Sequence, residues 1–295
     1  MLTAMLSHRI YYRFKPYLPW RLRMGMRRLV ARRKREAFKD VWPINEAAGH
    51  APENWRGWPR GKFAMVLTHD VEGPGGLAKC VRLMEMEQRL GFRSSFNFIP
   101  EGDYTAPVEL RKLVADSGFE VGVHDLRHDG KLYWRRNNFK ESARSINRYL
   151  EAWNARGFRA AFMLHDRERL HHLNIEYDAS TFDTDPFEPQ PDGANTIFPF
   201  WISDGNGGGY VELPYTLPQD STLFLVLDEK SPDLWKRKLD WLVERGGMAL
   251  LNVHPDYLGF NGELAPSEYP AAWYEEFLLH VRERYSGEFW NPLPR

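Results

Sequence analysis

From residue 63 onward, short apolar runs alternate with stretches of helical periodicity, and this alternation leaves the chain few folds to choose from. Strand-like runs fall at 63–67, 94–99, 119–123, 159–163, 175–178, 210–213, 223–227 and 248–253. Between them, Leu77, Val81, Met84 and Leu90 recur at helical spacing, as do Phe139, Ala143, Ile146, Leu150 and Trp153. Residues 107–117 read as a helix with Gly118 past its end, Trp235, Leu239, Leu242 and Val243 mark another, and Trp273, Phe277, Val281 and Tyr285 mark a closing one. Crossovers of this length join parallel strands rather than hairpins, so the expected architecture is α/β with a mainly parallel sheet, open or closed into a barrel. A barrel brings the carboxyl ends of all its strands to one face.

Three of those strand ends are unusually polar. The first strand runs into Thr68-His69-Asp70-Val71-Glu72, the third into His124-Asp125-Leu126-Arg127-His128, and the last into His254-Pro255-Asp256. If the chain turns helical after His124, positions i and i+4 share a face and both imidazoles reach one ion. Two histidines and a carboxylate are the ligand set of catalytic zinc. A second carboxylate, a further histidine and Arg159 complete a kit for metal-assisted hydrolysis of an amide or ester. The same residues also read as a polar loop followed by surface histidines. His69 is expected in the core, and His165, His171 and His172 on a surface helix. Other chemistries find less support. Asp125 after His124 breaks the HExxH pattern, and neither a GxSxG elbow nor a phosphate-binding loop occurs. Asp183 and Asp185, a carboxylate pair for glycoside cleavage, sit in a Pro-rich loop.

Formal charge is zero overall but polarised along the chain. The first forty residues hold twelve bases against Glu36 and Asp40, leaving 28 bases and 38 acids in the remainder. Arginines alternate there with Tyr11, Tyr12, Phe14, Trp20, Leu22, Met26 and Leu29, a mixture suited to the interface of an anionic membrane or to packing back on the domain. Nucleic acid is not expected as a partner, because no recognised binding motif accompanies the basic segment. We expect residues 1–62 to form a basic aromatic arm and a Pro/Trp-rich linker, and 63–295 the barrel. The single cysteine, Cys80, excludes an internal disulfide and a Cys-rich zinc site. With no export-type apolar core near the start, the expected location is cytoplasmic, peripheral to the inner membrane face.

Five blocks in order resemble the polysaccharide deacetylase family (carbohydrate esterase family 4, with its chitooligosaccharide deacetylase-like domain): Thr68-His69-Asp70-Val71-Glu72, His124-x-x-x-His128, Arg159-Ala160-Ala161-Phe162, the region 178–183, and Leu251-Asn252-Val253-His254. The resemblance covers about residues 63–260. It implies a distorted (β/α)7 barrel and one divalent metal, zinc first, held by Glu72, His124 and His128. It further implies Asp70 as general base, Arg159 as its tether and His254 as general acid, oriented by Asp183 or else Asp178. Phe162 and Tyr215 are expected to contact the substrate. The implied activity is removal of N-acetyl groups from a polysaccharide or glycan precursor. A catalytically silent glycan-binding or scaffold protein, or a deformylase or other amide hydrolase on the same barrel, are the alternatives. The chain departs from the family's pattern at Val71, where many members carry the metal Asp, and at Ala161, the usual place of a proline.

Overall fold

In the computed structural model, which describes residues 20–134 and 136–295, the wall of a barrel is built from parallel strands β1 (Phe63–Val71), β2 (Ser95–Phe98), β3 (Glu120–His124), β4 (Gly157–Arg159), β5 (Tyr177–Asp178), β7 (Gly209–Glu212) and β8 (Met248–Asn252). β1 lies between β8 and β2, and the order continues β3, β4, β5, β7. The ring closes where the N–H groups of Thr216 and Leu217 donate to Leu250 O, beside β8. β6 (Phe200–Ser203) adds an antiparallel hairpin to β7. β9 (Leu258–Gly259) and β10 (Tyr269–Pro270) form a separate ladder, and β11 (Phe289–Trp290) covers the start of β1.

Around the wall lie α1 (Trp20–Ala37), α2 (Pro74–Leu77), α3 (Cys80–Leu90), α4 (Val108–Asp116), α5 (Arg136–Trp153), α6 (Arg167–Leu170), α7 (Asp233–Arg245) and α8 (Ala271–Arg284). The helices forecast from periodicity coincide with α3, α4, α5, α7 and α8; all but α4, which buries Val114 alone, lay an apolar stripe against the wall. α3 and α7 end at Gly91 and Gly246, both in the left-handed region that lets a helix close without a Cβ clash.

Side-chain alternation sorts the wall into two layers. In β1, Phe63, Met65, Leu67 and Val71 point outward into the helix layer, while Ala64 and Val66 point into the barrel. Ala249 and Leu251 of β8 face outward, and Met248 and Leu250 inward. The barrel interior is plugged by Tyr177, Phe182, Leu213 and Tyr215 together with the inward residues of β1 and β8.

Two expectations need correction. Residues 223–227 are not a strand: Ser221–Val226 is a wide helical turn of the i→i+5 kind, capped by Asp220. The fourth strand stops at Arg159, and Phe162 and Met163 take left-handed backbone angles in a tight turn. Within the basic segment, residues 1–19 lie outside the described residues. Trp20–Ala37 is a helix, α1, that packs on the barrel by setting Met24 and Ala31 against Val226. Trp42 is buried, and Trp55 and Trp58 pack edge-to-face.

Candidate metal centre and active site

The strand parity that fills the barrel with apolar groups lower down places the polar groups at its top. Thr68 and Asp70 continue the inward row of Ala64 and Val66, and Glu72, two residues on, falls on the same side. Val71 points into the helix layer and takes no part. His69 points outward as well, where its ring meets Val253 O at 2.9 Å and Glu87 at 2.8 Å in the core.

Across the barrel, β3 delivers His124. Its Nδ1 lies 3.0 Å from Arg159 O, which fixes the tautomer that turns Nε2 into the site. No helix follows: Asp125 and His128 both have positive φ, and the loop between them brings His128 back beside His124, with ring centroids 5.0 Å apart. Asp125 holds that loop by accepting from the Leu126 and Ala161 N–H groups. Phe162 packs against the His128 ring at 4.6 Å, so its own strained turn supports the loop from the far side.

Glu72, His124 and His128 each offer one donor atom, and these atoms lie within 4.8 Å of one another. Glu72 Oε1 is 3.2 Å from His128 Nε2. The buried His128 Nε2 thus meets that carboxylate, while His124 Nε2 is buried with no hydrogen-bond partner among the described residues. Buried imidazole nitrogens are rarely left so. A tetrahedral ion about 2 Å from each donor needs the donors roughly 3.3 Å apart, so these residues fit a divalent cation with small adjustments. Burial lowers the pKa of His124, keeping it neutral and able to ligate. Burial also opposes the charge on His128, but the Glu72 carboxylate outweighs it and raises that pKa.

Asp70 lies beside this group, 4.0 Å from His124 Nδ1. Its Oδ1 accepts from Asn97 and its Oδ2 from Asn252, each at 2.9 Å, and Arg159 Nη1 stands 3.4 Å from both oxygens. Burial would raise its pKa, but Arg159, with His124 and His254, holds the carboxyl well below the usual range. Arg159 is itself fixed through Ala179 O and the Thr68 hydroxyl.

His254 continues the inward row of β8, its Nε2 3.8 Å from Glu72 Oε1. Asp183 does not orient it. That carboxylate is fully buried in an ion pair with Lys238 of α7 at 2.7 Å, and Asp178 is taken up by Ser180. The partner is Asp220: its Oδ1 is 2.6 Å from His254 Nδ1 and its Oδ2 accepts the His254 N–H. Burial disfavours the imidazolium, yet the Asp220 charge and hydrogen bond prevail, and the His254 pKa is pushed up to about 10. Tyr215 is likewise misplaced as a substrate contact. It is 1% exposed inside the barrel, its hydroxyl donating to Asp185 and Glu188.

Sequence reasoning placed Asp256 at a polar strand end without a role, and missed Tyr257. Tyr257 donates to Glu72 Oε2 at 2.6 Å, and Asp256 accepts the Glu72 and Gly76 N–H groups. A Cβ on Gly76 would lie 2.1 Å from Asp256 Oδ2, so the glycine of α2 makes room for that grip. Burial and the neighbouring Glu72 raise the Asp256 pKa. The run His254-Pro255-Asp256-Tyr257 therefore places one imidazole beside the opposite carboxylate of Glu72 and two supports around it.

No protein-family model matches the chain, and no curated protein matches it. Among solved structures, the chain is similar to a protein from Mycobacterium smegmatis assigned to the polysaccharide deacetylases. The TM-score is 0.62 at 18% identity, covering 82% of this chain and 90% of that one. A polysaccharide deacetylase assigned to O-antigen biosynthesis in Bordetella bronchiseptica has a TM-score of 0.43 at 20% identity, covering 70% of this chain and 74% of that one. A family 4 carbohydrate esterase from Streptomyces lividans has 0.44 at 11% identity, covering 76% and 90%. At 18% identity the likeness to the Mycobacterium protein speaks for architecture and not for reaction. The chain thus has the fold of the polysaccharide deacetylases, a distorted (β/α)7 barrel.

Proposed function

We propose that the chain is a metal-dependent hydrolase that removes N-acetyl groups from a glycan. The observation that carries this reading is the convergence of Glu72, His124 and His128 beside Asp70 and His254, with His124 Nε2 buried and without a hydrogen-bond partner among the described residues. Those three residues would hold one divalent ion, and the mixed N and O donors suit zinc. Such an ion, when bound, polarises a carbonyl and lowers the pKa of water.

The chain's own groups would do the rest. Asp70, immobilised by Asn97, Asn252 and Arg159, would accept the proton of the attacking water. His254, kept protonated at neutral pH by Asp220, would pass a proton to the departing amine. Phe162, half-buried over His128, would stand at the wall of the substrate cleft.

A second reading, a silent glycan-binding protein, draws on Asp70 itself. Both its oxygens are taken by amides and its pKa is held low, which makes a reluctant proton acceptor. Two measurements separate the readings. Calorimetric titration of the metal-free chain with zinc should show one site, abolished in His124→Ala and His128→Ala. Chitooligosaccharides should then release acetate with the wild type and not with Asp70→Asn. Zinc bound with neither acetate nor formate released supports the silent protein; formate from formylated substrates alone supports a deformylase.

A further inference from the structure

Helix α1 has two apolar faces, and the barrel uses only one. Its inner face buries Met24 and Ala31 and is clamped by polar contacts. Arg28 pairs with Asp228 at 2.9 Å and donates to Leu225 O, Lys34 donates to Pro186 O, and Arg35 pairs with Glu229 at 2.6 Å. On the opposite face, Leu22, Met26, Leu29 and Val30 follow helical spacing and stand 54, 43, 54 and 53% exposed. Arg27, Arg32 and Arg33 are exposed around this stripe and form no ion pair among the described residues. A contiguous exposed apolar stripe needs an occupant.

Charge selects that occupant. Arginines on both sides of an apolar strip match an anionic bilayer, whose phosphates meet the cations while its acyl boundary takes the leucines. Nucleic acid offers phosphates but nothing for the leucines to enter. A second copy of this chain docked face to face would set arginines against arginines.

The position of α1 gives the contact a consequence. Its clamps, Pro186, Leu225, Asp228 and Glu229, belong to segments that leave β5 and β7 at their carboxyl ends, the end of the barrel that carries the site. Asp220, the partner of His254, caps the turn against which α1 packs. We propose that α1 is an interfacial helix seating the site-bearing end of the barrel on an anionic membrane, and that the substrate is the acylated sugar head group of a membrane-embedded amphiphile. The second half rests on the amide-hydrolase reading; the first does not.

Flotation of the full chain with phosphatidylcholine vesicles, with and without phosphatidylglycerol, tests the first half. Binding should require the anionic lipid, weaken with salt, and fall about tenfold or more in Leu29→Glu/Val30→Glu, since two charges then enter the apolar strip. That variant should keep the wild-type melting temperature, both residues being exposed. Equal flotation of the variant, no binding by the wild type, retention by RNA that the variant also loses, or a dimer dispersed by the variant would each overturn the proposal. For the second half, the variant should match the wild type on a soluble N-acetylated glycan and lose activity on a vesicle-embedded N-acetylated glycolipid; equal activity on both refutes it. Flotation with no release from either substrate leaves the helix assignment standing and removes the hydrolase.

Discussion

Glu72 reaches the site although Val71 stands where the family pattern has its acid, because Glu72 follows Asp70 by two residues, just past the end of β1, and keeps to its inner side. What strand parity cannot supply is aim, and Tyr257 and Asp256 provide it through the side chain and the backbone N–H. Tyr257→Phe removes one hydrogen bond while preserving the ring, so the fold should persist and zinc affinity should weaken by roughly 10- to 100-fold. Calorimetry on the metal-free protein reads this directly, and unchanged affinity rejects the positioning role. Asp220→Asn bears on the other half of the site. An amide cannot sustain the charge that keeps His254 protonated, so kcat should fall about 10²- to 10⁴-fold with little change in KM. A comparable loss in Asp183→Asn would restore the acid first expected there, whereas its pairing with Lys238 predicts a loss of stability instead.

Strands with both faces buried are legible as apolar runs, and the helices that cover them as stripes of period 3.6, so β1, β2, β3, β8 and most of the helix layer could be read from residues alone. Leu223-Phe224-Leu225-Val226-Leu227 defeated the same rule, since a short apolar run looks alike in a strand and in a buried helical turn. Asp220 was lost with it, for its role depends on that turn and on β8, 34 residues away. The inner wall carries a further device that composition hides. Gly122 lies opposite Asn97 and Gly157 opposite Tyr177 in the strand register, and a Cβ at either glycine would overlap its neighbour's side chain, at 2.0 and 1.8 Å. Gly122 thus leaves space for the amide that grips Asp70. Gly122→Ala should displace Asn97, cost about 1–3 kcal/mol by overpacking, and depress kcat more than Asn97→Ala does. Denaturant titration and steady-state rates decide it; a variant with wild-type stability and rate would show that Asn97 has room elsewhere.

At the scale of the whole barrel, the seam that closes the ring is also where acid groups are buried together. Tyr215 lies on the segment that joins β8, and its hydroxyl serves both Asp185 and Glu188. Glu188 in turn accepts from Gln219, whose Oε1 receives Asn252, so the seam is wired to the amide that holds Asp70. Two carboxylates around one donor do not both ionise readily in a dry interior. Burial first, and then the neighbouring Glu188, push Asp185 up to about 7. The unfolded chain releases that proton near 4, whereas the folded chain keeps it until about 7. Between those values the unfolded state binds fewer protons, so this group's share of stability shrinks as pH rises. Asp70 and Glu72 are held low and work in the opposite direction, losing stability only as pH falls into the acid range. The total profile therefore mixes signs, and the informative quantity is a difference. Asp185→Asn cannot ionise, while its carbonyl oxygen still accepts from Phe187 N–H and its amide faces the Tyr215 hydroxyl. Its stability relative to wild type should climb from pH 5 to pH 8, by on the order of 1–3 kcal/mol, as the wild-type seam acquires charge. Denaturant titrations of both proteins across that range measure it. A difference that stays level with pH would mean that Asp185 is ionised throughout, and that the closing seam of the barrel holds charge without penalty.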